Sequence, residues 1–128
     1  MEWLTWAGAI VCRPLFDHPD YDLIADFEDR IHRVQVKTST CWANDRFVVT
    51  VCTRGGNQSW NGLVKRIDPS RCDYVFVHVG DGRRWYIPAA ELGGGWSIRV
   101  GGPRYAAYEV ESGEPLQARP PPATEARE

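Results

Sequence analysis

The sequence predicts a strand-rich α/β (α+β) domain with few helices. Three observations carry this. Two neighbouring segments, residues 21–27 and 30–38, alternate apolar and polar side chains with a period of two. Residues 73–79 and 83–87 flank Gly80, Asp81 and Gly82, a strong hairpin signal. Helical spacing is confined to residues 2–8, apart from residues 104–110, which read equally as helix or strand.

Taken in order, residues 2–8 form a short helix with Trp3, Leu4 and Trp6 on its apolar side and Gly8 as its stop. Residues 9–15 read as a strand, closed by Pro14 and the turn-rich stretch 17–20. The two alternating segments follow, then a third β-rich run at 46–53, the hairpin strands at 73–79 and 83–87, and a further strand at 97–100. Gly93–Gly95 and residues 101–103 are turns. Residues 112–128, with Pro115 and Pro120, Pro121 and Pro122, contain almost no apolar side chains and are expected to form a solvated, disordered tail. One folded domain at 1–111 is the expected organisation for a chain of 128 residues.

Composition narrows the function classes. With 43% hydrophobic residues the chain builds a core, which excludes global disorder. Its apolar runs are too short to cross a bilayer. Glu2 stands where a secretion signal carries cations, so a cytoplasmic location and reduced cysteines are expected. The net charge of −2 argues against a uniformly basic nucleic-acid coat protein, although folding can gather cations on one face. Cys12, Cys41, Cys52 and Cys72 have no zinc-ligand spacing; Cys12 and Cys52 read as small core residues.

The strongest local inference concerns the first two alternating segments. With Glu28 and Asp29 at the turn, Phe27 faces Arg30, Leu23 faces Val34, Tyr21 faces Val36 and Asp22 faces Gln35. Directly paired residues share a face. One face then gathers Tyr21, Leu23, Val34 and Val36 as a core surface, and the other gathers Asp22, Gln35 and Lys37. A carboxylate and a neutral oxygen suit a hard divalent cation such as Mg²⁺ or Mn²⁺, and a neighbouring ammonium can orient a water or stabilise charge on a phosphoryl group. Metal-assisted phosphodiester hydrolysis is the chemistry such a patch performs.

Pro19-Asp20-Tyr21-Asp22-Leu23 followed by Val34-Gln35-Val36-Lys37-Thr38 resembles the PD-(D/E)XK nuclease superfamily, most of all its group I intron-associated homing endonuclease-like branch, in which Gln often takes the E/Q position. Residues 61–62, 72–76, 85–88 and 97–100, with Tyr105 and Tyr108, extend the resemblance over about residues 8–110. It implies a restriction-endonuclease-like mixed β-sheet with few flanking helices. It implies Asp22, Gln35 and the Val36 carbonyl as metal ligands, Lys37 as the catalytic lysine, and Thr38 as a phosphate contact. The implied cofactor is Mg²⁺ or Mn²⁺ with no organic cofactor, and the implied partner is DNA, with no membrane. Cutting both strands implies a homodimer or higher homo-oligomer. Related enzymes often place a Glu on the first helix about three turns before the glycine matching Gly8; Glu2 stands only six residues before it.

That departure keeps a second reading open, a catalytically weak or inactive nuclease-fold module that binds nucleic acid or a protein. Asp20 and Asp26 read as turn and face charges, and His18 as an exposed loop residue. Trp3, Trp6 and Trp85 read as core. Trp42 and Trp60 either stack on bases or wedge into a groove, or else pack in the core or in a surface patch. Arg46, Arg54, Lys65, Arg66 and Arg71 either line a DNA path or form a solvated face. The polar loop at 54–58 offers Asn57 and Gln58 for adenine edges.

Overall fold

The computed structural model describes residues 2–15, 20–54 and 64–116, except for the side chains of Thr53, Arg54 and Val64. His18, Trp60, residues 55–58, the side chain of Arg54 and the tail from 117 onward lie outside the described residues. The chain opens with helix α1 (Glu2–Trp6), which ends where Gly8 takes a φ of 106°. Leu4 is fully buried, but Trp6 is 69% exposed, contrary to its expected place in the core. Two residues of helix turn a side chain roughly 200° around the axis. Docking through Leu4 therefore turns Trp6 outward.

Strand β1 (Ile10–Cys12) is short and lies at a sheet edge, paired only with β2 (Leu23–Asp26). Cys12 is exposed there rather than in the core, because its strand has one neighbour and ends at once. β2 and β3 (Ile31–Ser39) form the expected hairpin in the expected register, Leu23 opposite Val34 and Asp26 opposite Ile31. The Phe27 N–H donates to the Arg30 carbonyl across the turn. Glu28 holds a φ of 81°, and its N–H is fixed by the Asp26 carboxylate at 2.9 Å.

β3 is central. Its other edge pairs in parallel with β8 (Tyr74–Val79), Val34 opposite Tyr74 through Ser39 opposite Val79. The start of this pair is clasped by Asp73, which accepts two bonds from the Arg33 guanidinium (2.9 and 3.0 Å) and one from the Arg33 N–H (2.7 Å). That pairing holds the Asp73 carboxyl below its ordinary pKa despite partial burial. β9 (Arg84–Pro88) returns antiparallel to β8, and β11 (Glu109–Val110) pairs with β9, giving a mixed six-stranded sheet in the order β1-β2-β3-β8-β9-β11. The ambiguous residues 104–110 resolve into a single 3-10 turn, Ala106–Tyr108, followed by β11.

A second sheet has the order β10-β5-β4, from β4 (Trp42–Ala43), β5 (Arg46–Thr50) and β10 (Ser97–Val100). The expected strand at 46–53 breaks at Val51, whose N–H donates to the Trp96 carbonyl, and resumes as β6 (Cys52–Arg54) in a ribbon with β7 (Val64–Arg66). Two apolar clusters hold the layers. Val75, Val77, Val79, Trp85 and Ile87 pack against Phe47, Val49, Val51, Ile98 and Val100 of the second sheet. Leu4 and Ala9 pack against Leu23, Ala25, Val34 and Phe76 on the opposite face. Alternate residues of β8 thus serve both clusters, as expected for a strand buried on two sides.

Ser112–Leu116, expected to begin the solvated tail, lie against the end of the β8–β9 hairpin. The Gly113 N–H donates to the Gly82 carbonyl (2.7 Å), Arg84 donates to the carbonyls of Glu111 and Ser112, and the Glu114 carbonyl meets the His78 ring. The packed chain therefore continues past 111. Among the described residues no helix is long and apolar enough to cross a membrane.

Candidate active site

In the β3–β8 register Gln35 lies opposite Val75 and Lys37 opposite Val77. Both side chains therefore project from the face that carries the second sheet, while Val34 and Val36 project toward α1. The Asp22 N–H donates to the Val34 carbonyl at 2.8 Å, and regular β2 pairing begins only at Leu23. The Asp22 carboxylate takes the place of the missing strand: its Oδ2 accepts the Val36 N–H at 2.7 Å. In an extended strand the N–H and C=O of one residue point to the same side, so the Val36 carbonyl opens on the edge where Asp22 sits.

Gln35 is 6% exposed and donates from Nε2 to the Asp20 carbonyl at 3.2 Å. This bond fixes the amide plane and turns Oε1 away from Asp20. Asp20 itself is 5% exposed and is gripped by Lys65 at 2.8 Å and Arg71 at 2.7 Å. Burial pushes its carboxyl pKa up, but the two cations together outweigh that and hold it below the ordinary value. Asp20 was expected to be a turn charge; it is the anchor of the loop that aligns Gln35. The sequence carries no local signal for this, since Lys65 and Arg71 arrive from far along the chain.

Lys37 reaches the ribbon of β6 and β7, donating from Nζ to the Cys52 carbonyl at 2.6 Å. An ammonium has three donors, so two remain for other partners. Lys37 and Asp22 do not form an ion pair among the described residues. Tyr21 departs from the expected face. The ladder stops at Leu23, the chain swings at Asp22, and Tyr21 packs on the cluster beneath the second sheet instead of beside Leu23. Thr38 is exposed and, by alternation, projects from the face opposite Gln35 and Lys37. Glu2 is exposed on α1, whose Leu4 docks on that opposite face too.

The cations expected on a DNA path divide. Lys65 and Arg71 are committed to Asp20. Arg66 lies over the Trp96 ring, 4.4 Å from its centre. Arg46 lines a separate cleft, described below.

Asp22, Gln35 and Val36 carry a carboxylate oxygen, an amide oxygen and a main-chain carbonyl, all hard donors, and the bond to the Val36 N–H holds the carboxylate at that residue. That set fits Mg²⁺ or Mn²⁺, which retain waters and accept phosphate oxygens as further ligands. Among the described residues no three His, Cys, Asp or Glu side chains gather at metal-binding range. The Gln35 geometry yields a test. Gln35→Glu removes the donor to Asp20 and sets two acceptors against each other in a buried place. We expect a loss of about 1–3 kcal/mol without metal, with Mn²⁺ restoring more stability to the variant than to the wild type. Equal thermal melting of the two proteins in EDTA would overturn this account of Gln35.

A family model described as PD-(D/E)XK endonuclease matches residues 2–106 of the chain. Among solved structures, that of a bacterial homing endonuclease, I-Ssp6803I, superposes with a TM-score of 0.60 at 24% identity, covering 84% of this chain and 76% of that one. A comparison with curated proteins finds no match.

Proposed function

The chain belongs to the PD-(D/E)XK endonuclease family, and we propose that it acts in the cytoplasm as a divalent-metal-dependent DNA endonuclease of the homing type, hydrolysing phosphodiester bonds as a homodimer or higher homo-oligomer. The observation that carries this reading is the bond from the Val36 N–H to Asp22 Oδ2, which sets a carboxylate beside the Gln35–Val36 segment where β2 pairing ends. Bound there, Mg²⁺ or Mn²⁺ supplies charge neutralisation at the phosphoryl oxygens and a water of lowered pKa. Asp22 contributes the negative charge of the site. Gln35 presents a neutral oxygen, held in orientation by the Asp20 carbonyl. Lys37 holds a fixed ammonium on the same face as Gln35, where it orients the attacking water or stabilises charge on the phosphate.

A single carboxylate makes a weakly charged ligand set, so phosphate oxygens of the substrate are expected to complete it. Cleavage of plasmid and linear duplexes should appear with Mg²⁺ or Mn²⁺ and disappear with EDTA. Cleavage that survives EDTA would refute the metal-dependent reading. The bond from Lys37 to the Cys52 carbonyl favours the second reading, a nuclease-fold module that binds without cutting. Duplex binding without cleavage in either metal would select it.

A further inference from the structure

Away from Lys37, the far end of the second sheet encloses an open cleft of about 650 Å³. Its walls come from the β4–β5 turn, strand β10 and the two glycine-rich turns that flank β10. Arg46, Arg99 and Arg104 line it, and no Asp or Glu does, in a chain whose acids outnumber its bases. Among the described residues none of the three forms an ion pair with a carboxylate; neighbouring Arg83, by contrast, is neutralised by Glu109 at 3.0 Å.

Two of the guanidinium groups have space made for them. The Arg46 guanidinium lies where a β-carbon on Gly102 would stand, and Arg104 Nη2 lies 3.3 Å from where one on Gly93 would stand. Arg46 is further held by donating to the Asp45 carbonyl at 2.9 Å, and Arg104 lies over the Tyr105 ring at 5.2 Å. Arg99 stands between the buried Ile98 and Val100, so it projects outward from the sheet. Forked donors on a concave, acid-free surface match the phosphodiester oxygens of a nucleic-acid backbone better than any neutral ligand.

We infer that this cleft is a second phosphate-binding site, which seats the backbone of the duplex away from the cut. The inference rests on the nuclease reading and deepens it. Arg46 and Cys52 are six residues apart on a largely extended run, about 20 Å at the rise of a strand, and Cys52 is where Lys37 is anchored. That span corresponds to roughly half a turn of duplex. The contact carries no base information; it sets register and orientation.

The test is the salt dependence of binding to a duplex three helical turns long, in Ca²⁺ to permit binding without cleavage. Arg99→Gln and Arg104→Gln should each weaken binding several-fold and reduce the log–log salt slope by about 0.9. Gly102→Ala moves the Arg46 guanidinium without changing charge, and it should weaken binding too. Arg30→Gln, in the β2–β3 turn and paired with Asp29, should leave both quantities as in the wild type. Cleft variants that bind like Arg30→Gln, beside a wild type that binds and cuts, would overturn the cleft and leave the nuclease standing. A wild type that binds no duplex at any salt would overturn both. Inorganic phosphate competing only at concentrations far above those of duplex phosphate would support a polymer-backbone site; equal competition would refute it.

Discussion

Asp22→Asn should abolish metal-dependent cleavage while leaving the fold intact. The asparagine Oδ1 still accepts the Val36 N–H, so the 2.7 Å bond that replaces the missing β2 pairing survives. Stability should change by no more than about 1 kcal/mol. What disappears is the negative charge beside Gln35 and Val36. Losing ~4 kcal/mol of charge stabilisation corresponds to a rate about 10³-fold lower. Calorimetric titration with Mn²⁺, with and without duplex, reads the same change as lost affinity. An Asn variant that binds Mn²⁺ and cuts DNA like the wild type would remove Asp22 from the site.

Lys37→Met should give an equally large defect of a different kind. Methionine keeps the length of the stem but cannot donate to the Cys52 carbonyl, at a stability cost of about 1 kcal/mol. Mn²⁺ affinity should be retained, because Lys37 supplies no metal ligand. Cleavage should fall by about 10²–10⁴-fold, the usual contribution of a positioned proton-transfer or charge-stabilising group. Residues acting as one unit are not additive, so Asp22→Asn combined with Lys37→Met should be scarcely slower than either variant alone. A Met variant that cuts at the wild-type rate would sink the assignment of Lys37.

The parts of this site that the sequence disclosed are the parts set by local geometry. A two-residue turn at Glu28 and Asp29 dictates the register of β2 and β3, and with it the meeting of Asp22 with the Gln35–Val36 segment. Where the ladder stops is not local. It depends on the chain entering from Asp20, so Tyr21 fell on the other face from the one its alternation suggested. The burial of Asp20 was hidden for the same reason, since its partners lie 45 and 51 residues further on. Hydropathy also misplaced Cys12 and Trp6. An apolar run shows that a strand or helix forms, but not how much of the surrounding surface is covered. The hairpin around Gly80–Gly82 and the strand at 97–100 emerged as expected, because turn chemistry marks their ends.

The parallel pairing of β3 with β8 bears on how the protein comes to exist at all. Arg33 and Asp73 are 40 residues apart, and strands β4 to β7 lie between them in the chain. The β2–β3 ribbon can assemble as soon as it leaves the ribosome, whereas the clasp must wait until the whole intervening excursion has been synthesised and brought back. Such long-distance closure slows folding. During that delay β3 exposes a bare edge to other nascent chains, and Lys37 lies close to it, a strand-borne charge of the type that discourages wrongful pairing.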